Sequence, residues 1–205
     1  MNIAVFISGR GSNFINLFQK ANGFKIDCLV SNKPNAQGLL FAKEKSIDIF
    51  APEIFDFKSC LDFINTRQID LICLAGFMKI IPESFINTVK LPIINLHPSL
   101  LPKYKGLNTH QRALDAKESF HGSSIHLVDK GLDTGKLIAQ IKFKILENDT
   151  TKTLESKILE NEHILYPYIV NNIANKNIEI FDNSIKFDKT FVSKSKKLGH
   201  IICDK

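Results

Sequence analysis

Cysteine is scarce in this chain, and its placement excludes two kinds of structural site. The 205 residues include four cysteines, Cys28, Cys60, Cys73 and Cys203, and no two of them form a CxxC pair. A disulfide framework and a zinc signature both depend on characteristic cysteine spacings. We therefore expect reduced thiols and neither type of site.

Long hydrophobic runs are also missing. The apolar segment Ile3–Ile7 is followed at once by Ser8, Gly9 and Arg10, which makes it too short for a signal-peptide core or a membrane span. The hydrophobic content of 44% is that of an ordinary globular protein. We expect a cytoplasmic protein without a membrane partner, with one domain over residues 1–188 and a basic C-terminal tail over residues 189–205.

Positive charge is in modest excess. The chain has 27 lysines and arginines against 21 acidic residues, which gives a net charge of +6. This balance favours anionic ligands such as phosphates and carboxylates without identifying them. Nucleic acid is disfavoured, because the lysines are scattered and their densest cluster, Lys194, Lys196 and Lys197, lies among serines near the C-terminus. We expect small-molecule substrates and no nucleic-acid partner.

Short β-type runs alternate with helix-length amphipathic stretches through the first half of the chain. The predicted strands are Asn2–Ile7, Lys25–Ser31, Ile47–Ala51, Ile69–Ala75 and Pro92–Leu96. This alternation predicts an α/β fold with a Rossmann-like, open, mostly parallel twisted sheet and helices on both faces. The runs Ile3–Ile7 and Leu71–Ala75 are continuously apolar, which is typical of central strands that are buried on both sides.

The pattern changes after His121. Apolar and polar residues alternate over residues 137–145, which predicts a strand at the far edge of the sheet. Asp149 or Thr150 is a candidate N-cap for a long helix. The apolar stripe of that helix comprises Leu154, Ile158, Leu165, Ile169 and Ile173. A final hairpin is predicted from Ile178–Phe181 and Ile185–Phe187, turning around Asn183 and Ser184.

A glycine-rich loop, Ser8–Asn13, joins the first strand to the first helix. Glycines let the backbone approach a ligand, and the unpaired N–H groups at a helix start point toward an anion. Gly11, Ser12 and Asn13 are therefore candidate phosphate-binding residues, and a plain glycine turn with a helix cap is the alternative. A dinucleotide site is disfavoured, because Phe14 stands where that fingerprint needs a small residue.

The fifth predicted strand ends in two polar residues, Asn95 and His97. Residues two apart on a strand face the same side, so an amide and an imidazole reach the carboxyl edge of the sheet together. A hydrogen-bonded pair that only ends the strand is the alternative. The segment that follows, residues 98–108, is longer than an ordinary strand-to-helix connection, and loops of that length usually serve function.

Several motifs together resemble those of a known family. They are Ser8–Asn13, Leu74–Lys79, Asn95–Lys103, Gly106 with Thr109 and His110, and His121 with Gly122. On these motifs, which occur in the same order along the chain, the sequence resembles the glycinamide ribonucleotide transformylases, which are folate-dependent formyltransferases of purine synthesis. The resemblance implies transfer of the formyl group of 10-formyltetrahydrofolate to the primary amine of glycinamide ribonucleotide.

The resemblance also implies a catalytic trio of Asn95, His97 and Asp133. Asn95 and a protonated His97 would donate hydrogen bonds to the oxyanion of a tetrahedral intermediate, and Asp133 would hold His97 charged. Taken alone, Asp133 lies in a glycine-flanked turn, where aspartate is more often a turn former. The reaction needs no covalent enzyme intermediate, in agreement with the absence of an obvious activated cysteine or serine.

The binding residues follow from the same resemblance. Gly11, Ser12, Asn13 and Glu162 would bind glycinamide ribonucleotide, and a structural salt bridge is the alternative role for Glu162, which interrupts the apolar stripe of the long helix. The residues implied to bind the folate are Lys58, Met78, Lys79, Ile80, Ile81 and Asn95. Lys58 and Lys79 stand where the family often has arginine. Arginine can bind a carboxylate through two parallel hydrogen bonds, whereas lysine offers only a point charge.

No metal is expected, because the histidines show no pair at metal-ligand spacing. We expect a monomer or homodimer. Two alternatives to the formyl transfer are a related folate-dependent formyltransferase or hydrolase acting on another substrate, and a non-catalytic nucleotide-binding regulator. The additional domains that the related tRNA enzyme and the folate hydrolase carry do not fit in 205 residues. The presence of all three members of the trio favours the enzyme.

Overall fold

The computed structural model describes residues 1–181, 184–197 and 200–202. The chain divides into two compact units, Met1–Asn95 and Leu96–Lys205. The predicted α/β class is confirmed by the fold. The prediction of a single domain over residues 1–188 stays a prediction.

Strands and helices alternate strictly in the first unit. Its elements are β1 (Asn2–Ile7), α1 (Ser12–Gln19), β2 (Lys25–Ser31), α2 (Gly38–Glu44), β3 (Asp48–Phe50), α3 (Phe57–Asn65), β4 (Leu71–Leu74), α4 (Glu83–Val89) and β5 (Ile93–His97), whose last two residues belong to the second unit. The predicted bounds of β1 and β2 are confirmed. β3 and β4 are shorter than predicted, and β5 is shifted by one residue toward His97.

The strands of the first unit form a parallel sheet in the order β3-β2-β1-β4-β5. Ile3–Ile7 of β1 are all fully buried. Because successive side chains of a strand point to opposite faces, both faces of the sheet are covered at β1. The strand order reverses beside β1, and open α/β sheets bind ligands at the carboxyl ends of the strands at such a point. The glycine-rich loop lies at that end of β1.

The second unit has a different strand arrangement. Its further elements are α5 (Thr109–Asp115), β6 (Phe120–Leu127), β7 (Leu137–Lys144), α6 (Thr151–Ala174), β8 (Ile178–Phe181), β9 (Ser184–Phe187), α7 (Lys189–Lys197) and β10 (His200–Ile202). β6 and β7 pair antiparallel, as do β8 and β9. The hairpin of β8 and β9 is confirmed, but Asn183 of its predicted turn lies outside the described residues.

The prediction that the sheet ends at β7 is wrong. β10 pairs antiparallel with β7, opposite residues Ala139 to Ile141. An edge strand exposes a row of unpaired N–H and C=O groups, and the C-terminal segment supplies partners for them here. The alternation along β7 indicates only that one face of the strand is more exposed to solvent. That pattern does not distinguish a strand at the edge of a sheet from one that is hydrogen-bonded to a strand on each side.

Residues 189–197, predicted as part of a solvated tail, form the helix α7 instead. Phe191 is 4% exposed and stacks on the ring of Tyr168, with 5.8 Å between ring centroids. The Ser195 hydroxyl lies 2.9 Å from the Tyr168 hydroxyl. The lysines of the helix are exposed, so α7 is amphipathic, and the density of lysines concealed its apolar contacts in the sequence.

The helix α6 is capped as the sequence predicts, by Thr150. The Thr150 hydroxyl accepts a hydrogen bond from the N–H of Thr153, and the Thr153 hydroxyl accepts one from the N–H of Thr150, which completes a capping box. Four of the five predicted stripe residues are buried, and Ile173 is half-buried. Among the described residues, no helix is long and apolar enough to cross a membrane.

We expect Thr150→Ala to lower the free energy of unfolding by about 1 kcal/mol, because it leaves the N–H of Thr153 without its side-chain acceptor. Ser156→Ala is the matched control, since the Ser156 hydroxyl bonds only to a carbonyl of its own helix. Urea denaturation of both variants measures the difference. Equal stabilities of the two variants would contradict the role of the cap.

Candidate active site

The glycine-rich loop reaches the start of α1 through Gly11. This residue is the N-cap and has a left-handed backbone, with φ of 73°. A Cβ at this position would lie 3.0 Å from the Cα of Gly38, so close packing of the loop against α2 also requires glycine. Gly11 has no side chain with which to cap the helix, and no acidic residue lies in the first turn. The N–H groups at Ser12 and Asn13 therefore begin a helix whose end is suited to an anion.

Ser8 connects this loop to the segment that follows β4. Its hydroxyl donates to Asn32 Oδ1 at 2.5 Å and accepts a hydrogen bond from the N–H of Met78 at 2.7 Å. The N–H of Ser8 donates to the carbonyl of Gly76 at 3.1 Å. Sequence reasoning placed Ser8 in the loop but assigned it no role. The available signal was a hydroxyl at the carboxyl end of a buried strand.

The predicted folate residues after β4 differ sharply in exposure. Met78 and Ile80 are 69% and 74% exposed, whereas Ile81 is 7% exposed and belongs to the core. Lys79 is exposed. The N–H of Met78 is already bonded to Ser8 within the protein. This segment thus presents two apolar side chains and one cation at the end of a sheet strand.

A cluster of phenylalanines lies beneath the segment after β4. The ring of Phe77 contacts those of Phe6 and Phe55, at centroid distances of 5.4 and 5.8 Å. Lys58, the remaining predicted folate residue, is exposed in the first turn of α3, whose N-cap is Asp56. The aromatic contacts give the segment a rigid base on which Met78 and Ile80 are displayed.

Asn95 and His97 lie two residues apart on β5, so their side chains leave the strand on the same face. Asn95 is half-buried, and His97 is 5% exposed. The structure thus confirms that one strand presents the amide and the imidazole together. Their catalytic roles stay predictions.

Asp133 lies against His97, as the family resemblance implied. Its Oδ2 is 3.4 Å from His97 Nδ1 and accepts a hydrogen bond from the N–H of Gly106 at 2.8 Å. Its Oδ1 lies 3.5 Å from Nε2 of His126, a residue that sequence reasoning did not assign to the site. The carboxylate therefore stands between two imidazoles. No spacing in the sequence signals the contribution of His126, although burial of a histidine on a predicted strand calls for a polar partner.

Backbone geometry explains how the turn brings Asp133 to this place. Asp133 has a left-handed backbone, with φ of 50°, which aspartate tolerates better than most residues. A Cβ at Gly135 would lie only 1.7 Å from the carbonyl oxygen of Leu127. Glycine at position 135 therefore lets the turn pass directly over the end of β6, and the carboxylate reaches the histidines from there.

The two nitrogens of the His97 ring both face oxygen atoms. Nε2 lies 3.0 Å from the carbonyl oxygen of Tyr104, which can only accept, and Nδ1 faces Asp133. Either neutral tautomer leaves one nitrogen lone pair against an acceptor, so the geometry favours the imidazolium. Burial opposes it and is the larger influence: the pKa of His97 lies below its ordinary value, although the Tyr104 carbonyl and the Asp133 charge raise it.

The expectation that Asp133 keeps His97 charged therefore needs a correction. Asp133 acts in the expected direction, but desolvation of a ring that is almost wholly buried outweighs it. For Asp133 itself, burial raises the pKa. Hydrogen bonds from His126 and the N–H of Gly106, together with the charge interactions with His97 and His126, more than offset this, so the pKa lies below its usual range. The pair thus holds an ionised carboxylate beside a histidine that resists protonation.

Glu162 is buried in α6, as its position in the apolar stripe predicts, and is 7% exposed. The Ser123 hydroxyl on β6 donates a hydrogen bond to its Oε1 at 3.2 Å. A partner was expected on energetic grounds, and Ser123 is one such partner. The assignment of Glu162 to substrate binding stays a prediction.

A second pair of histidines, buried His121 and half-buried His110, lies in the same unit. His110 Nδ1 lies 3.0 Å from His121 Nε2, so only one of these two nitrogens can carry a proton in the hydrogen bond between them. The contact is therefore stable only when at least one ring is neutral. Burial, with the neighbouring His110, lowers the pKa of His121 to about 4. Burial also lowers the pKa of His110, with Glu155 acting against it.

The His110–His121 pair predicts a pH dependence of stability. Because the folded pKa values lie below the ordinary value of 6.5, the unfolded chain takes up protons first as the pH falls. The contribution of the neutral histidine pair to the free energy of unfolding is complete above about pH 6.5 and declines between about pH 6.5 and pH 4. We expect His121→Gln to flatten this part of the curve in denaturation experiments at stepped pH. An unchanged slope would contradict the assignment.

Within the described residues, no group of three or more histidine, cysteine or acidic side chains is arranged to hold a metal ion.

Comparisons with known proteins give a consistent result. The family model described as formyl transferase matches residues 1–170. A phosphoribosylglycinamide formyltransferase of Haemophilus influenzae is 35% identical over 94% of this chain and 96% of its own, and that of Escherichia coli is 34% identical over 92% and 94%. The crystal structure of phosphoribosylglycinamide formyltransferase from Anaplasma phagocytophilum is 38% identical, covers 91% of this chain and 94% of its own, and has a TM-score of 0.85.

Proposed function

This chain belongs to the formyl transferase family, and on that premise we propose how it transfers a formyl group from a folate to the amine of phosphoribosylglycinamide. The donor in this proposal is 10-formyltetrahydrofolate. The single observation that carries the proposal is the contact of Asp133 with His97, 3.4 Å apart, on the strand that also bears Asn95. Near-full-length identity of about 35% to phosphoribosylglycinamide formyltransferases gives the activity.

The chemistry fixes what the protein must supply. The amine nitrogen attacks the formyl carbon, and the C=O electron pair moves to oxygen as a tetrahedral oxyanion forms. The electron pair then returns, the bond from carbon to N10 of the folate breaks, and N10 takes up a proton. The amine loses one proton over the same steps. For these steps the protein has to supply a hydrogen-bond donor for the oxyanion and a group that carries one proton from the amine to N10.

Asn95 supplies the oxyanion donor in this proposal. Asn95 is half-buried in the middle of β5, where the strand fixes the face on which its side chain leaves. A preorganised amide donor costs no reorganisation when the charge develops, and removal of one such donor typically costs about 10²–10³ in rate.

His97 supplies the proton carrier. Burial keeps its pKa low, so the ring begins neutral. Because both ring nitrogens contact oxygens in this structure, the proposal requires the contact of Nε2 with the Tyr104 carbonyl to open while the ring takes the proton of the attacking amine, and to form again afterwards. The imidazolium that results has Asp133 against Nδ1 and the Tyr104 carbonyl against Nε2, so both N–H groups face acceptors. His97 then gives the proton to N10. Asp133 thus stabilises a charge that exists only during the reaction.

The substrate phosphate binds at the start of α1 in this proposal. The start of α1 at Ser12 and Asn13, reached through the left-handed Gly11, carries the positive end of the helix dipole, which suits an anion. Glu162, held by the Ser123 hydroxyl, contacts the remainder of phosphoribosylglycinamide. Its carboxylate accepts hydrogen bonds from the donor groups of that substrate.

The segment after β4 binds the folate. Exposed Met78 and Ile80 offer apolar surface to an aromatic ring system, and Ile81 anchors the segment in the core. Lys58 and Lys79, both exposed, supply positive charge for the glutamate tail. Since a lysine binds a carboxylate as a point charge, we expect this contact to weaken as ionic strength rises.

The direct test is a spectrophotometric assay of formyl transfer with phosphoribosylglycinamide and 10-formyl-5,8-dideazafolate. We expect turnover that requires both compounds. Failure to turn over, with both compounds shown to bind by calorimetry, would contradict the proposal and favour a non-catalytic role.

We expect Asp133→Asn to lower kcat by about a hundredfold or more while the KM values change little, because the amide cannot stabilise the imidazolium. Asp129→Asn is the matched control in the same turn. Asp129 accepts hydrogen bonds from Gly131 and Thr134, and an asparagine oxygen preserves them. Normal turnover by Asp133→Asn would remove the carboxylate from the mechanism.

A further inference from the structure

We propose that Tyr104 and Glu118 are a positioning pair, which holds a main-chain carbonyl against His97 and so fixes the orientation of the imidazole. Both residues, like His97, belong to the second unit. The inference rests on the proposed role of His97 as proton carrier. Neither Tyr104 nor Glu118 touches the reacting atoms in this scheme.

The carbonyl of Tyr104 is the acceptor for one side of the His97 ring. It lies 3.0 Å from Nε2, while Asp133 faces Nδ1 on the other side. An imidazole held at both nitrogens cannot rotate about its bond to the main chain without losing a contact. The carbonyl therefore shares with Asp133 the task of orienting the ring.

Tyr104 holds this position in an unfavourable backbone conformation. Its φ is 56°, in the left-handed region. A bulky L residue seldom adopts this conformation, because its Cβ crowds the carbonyl oxygen. Such a residue stays there only when surrounding contacts hold it, and residues of this kind cluster at functional sites.

Glu118 provides the principal anchor for Tyr104. Its Oε1 accepts hydrogen bonds from the Tyr104 hydroxyl and from Lys103 Nζ, both at 2.7 Å. These two bonds lower the pKa of Glu118, so the carboxylate is ionised at neutral pH. The guanidinium of Arg112 lies 5.2 Å from the centroid of the Tyr104 ring. The side chain is thus held at its hydroxyl and over its face.

The start of the same loop is fastened independently of Glu118. The Ser99 hydroxyl donates to the carbonyl of Lys103 at 2.7 Å, and the N–H of Leu101 donates to the Ser124 hydroxyl at 3.0 Å. Loss of the Tyr104 anchor therefore leaves the fold of residues 99–103 in place. The expected change is local to the Tyr104 carbonyl and the ring it contacts.

The inference predicts the protonation of His97 as well as its orientation. Burial lowers the pKa of His97, and the Tyr104 carbonyl and Asp133 oppose it. The other charged or titratable groups near the ring, His126, Arg112 and His121, disfavour its protonated form. The Tyr104 carbonyl is one of the two groups that raise the pKa of His97, so the pKa falls further when this carbonyl moves away from the ring.

The test compares Tyr104→Phe, Glu118→Ala and the double variant with wild type. Tyr104→Phe keeps the ring beside Arg112 and loses only the hydroxyl. We expect each single variant to lower kcat by about three- to tenfold, the rate equivalent of one lost hydrogen bond, with both KM values nearly unchanged. The double variant should lose no more than either single one, because both remove the same contact.

The second readout is an NMR titration of the His97 imidazole in the full-length protein without ligands. We expect a lower pKa in Tyr104→Phe and Glu118→Ala, and recovery toward the wild-type titration in Glu118→Gln, which keeps an acceptor for the tyrosine hydroxyl. Lys103→Ala is the matched control, since it removes only the exposed ion pair to Glu118. Its titration and kcat should match those of wild type.

Two results would overturn the inference: an unchanged His97 titration in Tyr104→Phe, whatever its kcat, or equal losses in Lys103→Ala and Glu118→Ala. The titration needs no turnover. If wild type failed to transfer formyl groups while Tyr104→Phe still shifted the His97 titration, the proposed function would fall and the positioning pair would stand.

Discussion

The placement of one carboxylate organises the second unit of this protein. Asp133 accepts from the Gly106 N–H and stands between the rings of His97 and His126, all within 3.5 Å. These contacts fasten the loop after β5 and the turn before β7 to one carboxylate, whose side chain is 10% exposed. A carboxylate with so little contact with water needs such partners, and the partners of Asp133 include His97, the histidine proposed to act in the reaction.

The sequence predicted much of this arrangement, because simple periodicities govern the parts concerned. Continuous apolar runs identify central strands, and β1 and β2 were predicted with correct bounds. Strand geometry alone brings Asn95 and His97 to one face. The glycine-rich loop was recognisable since a strand, a glycine turn and a helix start follow one another directly.

Other parts depend on contacts between residues distant in sequence, which no spacing encodes. The approach of Asp133 to His97 relies on the space that Gly135 leaves beside Leu127, and the family resemblance alone suggested it. The connection made by Ser8 joins two loops separated by about seventy residues. For α7, the lysines dominated the pattern, while the burial of Phe191 depends on a tyrosine in another helix.

The left-handed backbone at Tyr104 has a consequence for protein engineering. Glycine would relieve this conformation, because it has no Cβ to crowd the carbonyl oxygen. The same exchange would remove the ring and hydroxyl that hold the loop against the imidazole. A substitution at position 104 that is chosen for its backbone conformation alone would therefore be expected to lower turnover.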